Sequence, residues 1–174
     1  MYEKGEGVNQ DYKESAKWMG LSAAQGNIVA QAQYGFIFMN GKGVETNYVE
    51  AAKWLRLAAE QGYAAAQFNL SVLYATGRGV KEDFCESAKL LLLAAKQGVV
   101  DAQFNLGQLL FEGKGVELNY PSAFIWFSQA FYNGDEEALE YINRIEKILP
   151  TQELNEARKL ANSYRILYSP KSVS

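Results

Sequence analysis

The 174-residue chain has 48% hydrophobic and 21% charged residues, which is typical of a soluble globular protein long enough to bury a core. Its formal charge of −3 gives no electrostatic reason to expect nucleic acid or an anionic membrane as a partner, and no apolar run approaches the roughly 18 residues needed for membrane insertion. The absence of histidine and the presence of a single cysteine, Cys85, exclude histidine-based catalysis, histidine metal sites and a cysteine zinc site.

The chain repeats one pattern at an interval of 36 residues, from its first residues to about residue 135. Many columns are in register, so the sequence predicts a tandem array of a 36-residue unit. Three glycine columns carry the pattern: Gly5, Gly41, Gly77 and Gly113; Gly7, Gly43, Gly79 and Gly115; and Gly26, Gly62, Gly98 and Gly134.

Each unit is predicted to form two helices. In one unit, apolar residues at i, i+4, i+7 and i+8 mark one face of a first helix: Ala66, Leu70, Leu73 and Tyr74. The second helix of each unit is predicted to begin at a good N-cap residue, and Glu86, three residues after Asp83, suggests a capping-box-like pair. The predicted N-cap residues are Asp11, Asn47, Asp83 and Asn119.

The pattern fades after Gly134, where two further helices are predicted. Residues 135–149 form one, Pro150 ends it, and residues 151–168 form another with Thr151 as its N-cap. The last helix has one apolar face, as a terminal cap requires: Leu154, Ala157, Ala161, Tyr164 and Tyr168.

The segment AQFNLSVLYATGRGVKEDFCESAKLLLLAAKQG, residues 66–98, resembles a Sel1-like repeat, a longer-looped relative of the tetratricopeptide repeat. The resemblance covers about residues 1–135. It implies an all-α fold, a right-handed α/α superhelical solenoid of antiparallel helix pairs, that acts as a protein-interaction scaffold or adaptor. The paired cysteines of the disulfide-rich branch of this family are missing, so that branch is not implied.

Four regions are predicted on this basis. Residues 1–27 match the C-terminal half of a truncated repeat, residues 28–135 form three complete repeats, residues 136–168 form capping helices, and residues 169–174 form a frayed tail. Because Met1 and Tyr2 align with the end of a first helix, we expect a fragment of a longer array or an abnormal start. One cysteine slightly favours the cytoplasm, whereas bacterial arrays of this kind are often exported, so a removed leader stays an alternative.

The Gly41-Lys42-Gly43 loop raises the question of a phosphate site. A P-loop requires G-x-x-x-x-G-K-[ST] after a strand, but this loop follows a predicted helix and Lys42 precedes a glycine. The residues aligned with Lys42 are Glu6, Arg78 and Lys114, so a phosphate-binding lysine is not maintained. The sequence predicts a structural turn, with Lys42 as a replaceable surface residue.

Large aromatic residues recur at core spacing. Trp18, Trp54 and Trp126 share one column with Leu90, and core packing is favoured over a ligand platform. A denser aromatic cluster is predicted to pack against the C-terminal cap, with an exposed sticky patch as the alternative: Phe124, Trp126, Phe127, Phe131 and Tyr132.

The candidate functional surface is the concave groove, which the first helix of each pair lines in tetratricopeptide-like arrays. A column of side-chain amides, Gln33, Asn69 and Asn105, is suited to hold the backbone of an extended peptide. The alternative is that these amides brace neighbouring repeats. Specificity positions are predicted one and two turns further on: Phe36, Val72 and Gln108, and then Asn40, Thr76 and Glu112.

We expect no catalytic residue, metal or cofactor. Asp135, Glu136 and Glu137 occupy consecutive helix positions and point in different directions, so they are predicted to be solvated. Cys85 is predicted to be a bystander. The expected function is binding of a peptide or protein partner. The alternatives are a cell-envelope hydrolase and an architectural module that self-associates through the helix at residues 11–25.

Overall fold

The computed structural model describes residues 11–168, with side chains up to Arg165, and all regular structure in that range is helical. The chain divides into two compact units, the first ending at Glu82 and the second beginning at Asp83. The helices are α1 (Tyr12–Ala24), α2 (Ile28–Asn40), α3 (Tyr48–Glu60), α4 (Ala64–Thr76), α5 (Phe84–Lys96), α6 (Val100–Glu112), α7 (Tyr120–Tyr132), α8 (Ala138–Ile148) and α9 (Thr151–Tyr168).

Some sequence predictions fall outside the described residues. These are the repeat positions Met1, Tyr2, Gly5, Glu6 and Gly7, the tail at residues 169–174 and the side chain of Tyr168. The division of the chain into a half-repeat, complete repeats, cap and tail therefore stays a prediction.

The helices α1, α3, α5 and α7 begin as predicted. Each follows an Asp or Asn whose side-chain oxygen accepts first-turn N–H groups, as Asp11 does from Lys13 and Glu14 at 2.9 and 3.1 Å. In α1, α3 and α5, a glutamate at the third position extends towards a lysine of the next turn. In α5, the Glu86 carboxylate lies 2.9 Å from Lys89 Nζ. The side-chain caps fix where these helices start.

The last helix begins differently from the prediction. The carbonyl oxygen of Pro150 accepts the first helical bond, from the N–H of Leu154 at 3.0 Å, and α9 already includes Thr151. Pro150 therefore holds the N-cap position, and the assignment of Thr151 to it is wrong, because the cap residue is the one that supplies this carbonyl.

One glycine column is required by close packing of the loop on an earlier helix. Gly43 has φ +82°, and a Cβ added there would overlap the backbone carbonyl of Tyr12 at the start of α1. Gly115 in the second unit, with φ +72°, has the same relation to the backbone of Phe84. Both the backbone conformation and the lack of space demand glycine.

In the first unit, an aromatic ring separates α1 from α3. Tyr34 of α2 lies edge-on to Trp54 of α3, with ring centroids 5.4 Å apart, and 4.8 Å from the ring of Phe38. On the α1 side, a Cβ at Gly20 would lie only 2.8 Å from the Tyr34 ring. Gly20 thus leaves the space that the ring fills. Two fully buried residues of α3, Ala51 and Leu55, lie against Gly35 of α2.

In the second unit, α7 packs against both C-terminal helices. Phe127 stacks on Tyr141 of α8, with ring centroids 4.5 Å apart, and Trp126 meets Tyr164 of α9 at 5.6 Å. The predicted contact of the aromatic cluster with the cap is therefore confirmed for its buried members. Phe131 and Tyr132 are 37% and 49% exposed, and the Arg165 guanidinium of α9 lies 5.1 Å from the centroid of the Tyr132 ring. The predicted apolar face of α9 is buried at Leu154, Ala157 and Ala161.

Candidate functional site

In the first unit, six predicted groove residues lie on two helices that contact each other, α2 and α4. They are Gln33, Phe36 and Asn40 on α2, and Asn69, Val72 and Thr76 on α4. The spacing i, i+3, i+7 places each set on one face of its helix. Phe36 is 50% exposed, which makes it the largest apolar group of this set that solvent reaches.

The polar members of this face are oriented by their own helices. Asn40, Asn69 and Thr76 each donate a side-chain hydrogen bond to the carbonyl oxygen four residues earlier, at 2.8, 2.8 and 2.7 Å. A primary amide has two N–H donors and two acceptor positions on its oxygen. Asn40 and Asn69 are therefore fixed in orientation by one bond and have capacity for more.

In the second unit, the remaining predicted residues lie on α6. Asn105 and Gln108 are half-buried, and Glu112 is exposed. Gln108 donates from Nε2 to the hydroxyl of Tyr141 on α8, at 3.1 Å. The structure thus joins Gln108 to the neighbouring helix of its own unit.

The same face continues on α8, at positions that the sequence analysis missed. Adding one 36-residue interval to Asn105, Gln108 and Glu112 gives three residues of that helix: Tyr141, Arg144 and Ile148. The Arg144 guanidinium lies over the Phe111 ring, 4.8 Å from its centroid. The interval was visible in the sequence, but its columns stop being recognisable after Gly134. The face of the second unit therefore carries charge, at Glu112 and Arg144, where that of the first carries none.

Comparison with known proteins now identifies the repeat. The model of the Sel1 repeat matches residues 1–27, 28–63, 64–99 and 100–135. The chain belongs to the Sel1 repeat family. Proteins of this family are generally interaction scaffolds for other proteins and are typically non-catalytic.

Two solved structures are similar to this Sel1 repeat chain. A protective antigen of uropathogenic Escherichia coli strains, which has an SLR fold, shares 38% identity over 98% of this chain, with a TM-score of 0.86. A Sel1 repeat protein from Oxalobacter formigenes shares 37% identity over 75% of this chain, with a TM-score of 0.71. The chain spans 37% and 52% of these two proteins. Curated proteins give no significant match. The predicted fold class, an all-α solenoid of 36-residue helix pairs, is confirmed.

Within these Sel1 repeats, a second amide column ties helices together, and the sequence analysis missed it. Gln31, Gln67 and Gln103 are only 5%, 3% and 0% exposed. Each donates from Nε2 to a carbonyl oxygen eight residues earlier on the preceding helix, at 3.3, 3.2 and 3.1 Å. The side-chain oxygens of Gln31 and Gln103 accept from Gln61 and Asn133, at 2.8 and 2.9 Å. Bracing is thus a role of this buried column, which stands two residues before the column of Gln33, Asn69 and Asn105.

The Gly-Lys-Gly loop carries a repeated cation–π contact. The cations of Lys42, Arg78 and Lys114 lie over the first aromatic residue of an earlier helix, 4.6, 5.5 and 4.0 Å from the ring centroids. The description of Lys42 as a replaceable surface residue omitted this contact. The loop also follows a helix, whereas a phosphate-binding loop follows a strand.

The tryptophan column is only partly a core column. Trp126 and Leu90 are 5% and 8% exposed and Trp54 is half-buried, but Trp18 is 54% exposed. The expectation of core packing is wrong for Trp18. Trp54 is covered by Tyr34 of the helix before it, and no helix precedes α1 within the described residues.

Asp135, Glu136 and Glu137 precede α8, which begins at Ala138, so the prediction that they occupy helix positions is wrong. Glu136 and Glu137 are exposed, as is Cys85, whereas Asp135 is half-buried and accepts a bond from the Glu137 N–H at 3.0 Å. Between residues 11 and 168, no three acidic or cysteine side chains are grouped to hold a metal ion. Over the same range, no helix has the length and apolar character of a membrane span.

Proposed function

We propose that this Sel1 repeat chain is a non-catalytic scaffold that binds a peptide or protein partner on the groove face of its first-type helices. The observation that carries the proposal is the pairing, on α2 and α4, of an exposed aromatic anchor with amides held by their own helices. Phe36 is 50% exposed, and Asn40 and Asn69 each donate one bond at 2.8 Å to their own backbone.

The chemistry of this face suits an extended chain. Aromatic side chains are favoured anchors of protein interfaces. An amide that has spare donor and acceptor capacity pairs with the backbone of a bound peptide. In the second unit, Glu112, Gln108 and Arg144 would take charged or polar side chains of the partner. No observation on the described residues favours the alternative of a cell-envelope hydrolase.

Selection of peptides from a random display library tests the proposal. We expect bound peptides to lose at least about tenfold in affinity with Phe36→Asp, and a smaller factor with Asn69→Ala. Leu57→Asp is the matched control, because Leu57 is 39% exposed on α3 of the same unit and lies outside the predicted groove. Binders that tolerate both groove variants but fail with Leu57→Asp would place the binding surface elsewhere.

Self-association through α1 is a second candidate, because that helix presents a large apolar pair. Trp18 and Leu21 are 54% and 50% exposed and lie one turn apart. An isologous contact would bring the pair of one copy against that of another. Light scattering of the wild type and of Trp18→Lys at high concentration tests this. A monomer in both cases would rule it out.

A further inference from the structure

The second unit contains a cavity of about 420 Å³ between α5, α6 and α7. Its apolar wall includes Leu92, Leu106, Leu110 and Trp126, and its polar lining includes Lys89 and Ser122. Volumes of this size are in the range of pockets that bind small molecules. Lys89 and Cys85, which also lines the cavity, are exposed, so the cavity is reached from solvent.

The repeat itself shows what fills such a space. The positions 72 residues before Leu92, Leu106 and Leu110 are Gly20, Tyr34 and Phe38. In the first unit, the rings of Tyr34 and Phe38 lie 4.8 Å apart, between Trp54 on one side and Gly20 on the other. In the second unit Leu92 adds a side chain where Gly20 has none, and Leu106 and Leu110 replace the two rings. Trp126, which corresponds to Trp54, therefore has no ring from α6 at these positions and lines the pocket.

The polar lining adds a charge. Lys89 is the charged residue of the lining, and its partner Glu86, 2.9 Å from Nζ, is not part of the lining. Glu86 raises the pKa of the Lys89 ammonium group, first through this hydrogen bond and then through its charge, so Lys89 stays protonated at neutral pH. A protonated lysine and a serine hydroxyl, both present in the lining, can each donate a hydrogen bond to a carboxylate.

We propose that this cavity binds a small aromatic carboxylate, with its ring against Leu106, Leu110 and Trp126 and its carboxylate at Lys89 and Ser122. Apolar cavities in proteins accept aromatic guests when no side chain fills them. The site involves α5, α6 and α7 and none of the proposed groove residues, so its failure would leave the proposed function untouched.

The experiment uses 3-phenylpropanoate as the probe, with two readouts. Titration calorimetry should give a dissociation constant of about 1 mM or below. Because Cys85 is the sole cysteine and lines the cavity, saturating probe should also slow its alkylation by iodoacetamide at least about threefold. The neutral 3-phenylpropanamide should bind several-fold more weakly.

Two variants test separately how the ring and the carboxylate of the probe contribute to binding. Leu110→Phe restores the ring found at the matching position of the first unit and should weaken binding at least about tenfold. Lys89→Gln should lower the affinity for 3-phenylpropanoate to the affinity for 3-phenylpropanamide. Its matched control is Lys53→Gln, which removes the same kind of exposed helix pair with Glu50 in the first unit. Circular dichroism and melting temperature establish that each variant is folded.

The proposal would be overturned if the probe gave no heat and no protection of Cys85 at 10 mM, about tenfold above the expected dissociation constant. It would also be overturned if folded Leu110→Phe bound the probe as tightly as the wild type. The third such result would be a loss of affinity with Lys53→Gln equal to that with Lys89→Gln. If Leu110→Phe does not fold, the protection of Cys85 in the wild type decides alone.

Discussion

The two units are built from the same repeated helix pairs, but different side chains pack between the helices. In the first, Tyr34 wedges between α1 and α3, and Gly20 makes room for the ring. In the second, Leu92 and Leu106 stand at the matching positions of α5 and α6, and a cavity of about 420 Å³ remains. The same helix positions of the two units therefore carry different side chains, and those of the second unit line its pocket.

The two units also share buried and closely packed positions. Alanines at matching positions, Ala16 in α1 and Ala88 in α5, are buried at 2% and 4% exposure. Gly43 and Gly115 hold the loops directly against the start of those helices. Substitutions of shared residues should therefore disturb both units alike, whereas substitutions of filling residues should act on one unit only.

The largest effect is expected for the shared loop glycines. Gly43→Ala and Gly115→Ala each combine a strained positive φ with overlap of a helix backbone, so we expect a loss of more than about 3 kcal/mol in the free energy of unfolding by urea. Gly62→Ala is the control, because Gly62 has φ +88° and nothing within 4 Å of an added Cβ. It should lose only about 1–2 kcal/mol. Equal losses at Gly43 and Gly62 would show that the loop contact is unimportant.

The second-largest effect is expected from a substitution that gives the first unit the residue of the second. Tyr34→Leu gives the first unit the leucine that the second has at Leu106, and should lower the free energy of unfolding by about 2–3 kcal/mol through lost contacts and a new cavity. Phe36→Leu on the same helix is the control, since Phe36 is 50% exposed and should cost less than about 0.5 kcal/mol. A Tyr34→Leu variant as stable as the wild type would mean that the ring does not support α1 and α3.

Local features of the fold followed from the sequence because their causes are local. Helix starts at Asp11, Asn47, Asp83 and Asn119 depend on a side chain and the N–H groups two or three residues away, so the pattern alone predicted them. The buried face of α9 followed from helical periodicity in the same way.

Features that depend on side chains of different repeats were not predicted. The exposure of Trp18 depends on what covers it, and the pocket is lined by three leucines from two helices of one unit, where the other unit has different residues. Gln31 and Gln33 are both amides in 36-residue columns, and only the structure distinguishes the buried one, at 5% exposure, from the exposed one. The groove residues stay a prediction, because their role depends on a partner.

The buried glutamines test a second shared feature, and a smaller effect is expected. Gln103→Ala removes bonds to Ala95 and Asn133 and leaves buried polar groups without partners, so we expect a loss of about 2 kcal/mol. Gln31→Ala in the first unit should lose a similar amount, because it makes the matching pair of bonds. Gln33→Ala serves as control and should be near neutral, since Gln33 is exposed. A loss at Gln33 equal to that at Gln103 would instead favour the bracing role for the exposed column.

The smallest effect concerns the loop cations, where the pairs of the two units differ in residue type and in distance. Lys114 Nζ lies 4.0 Å from the centroid of Phe84 in the second unit, and the Arg78 guanidinium lies 5.5 Å from that of Tyr48 in the first. A double-mutant cycle of Lys114→Gln and Phe84→Leu should give a coupling energy of about 0.5–1 kcal/mol, as measured for exposed cation–π pairs. The cycle of Arg78→Gln and Tyr48→Leu should give less, because attraction to a ring falls with distance. Equal or reversed coupling energies would mean that the loop glycines alone hold these loops, and that the recurrence of a cation there reflects solubility.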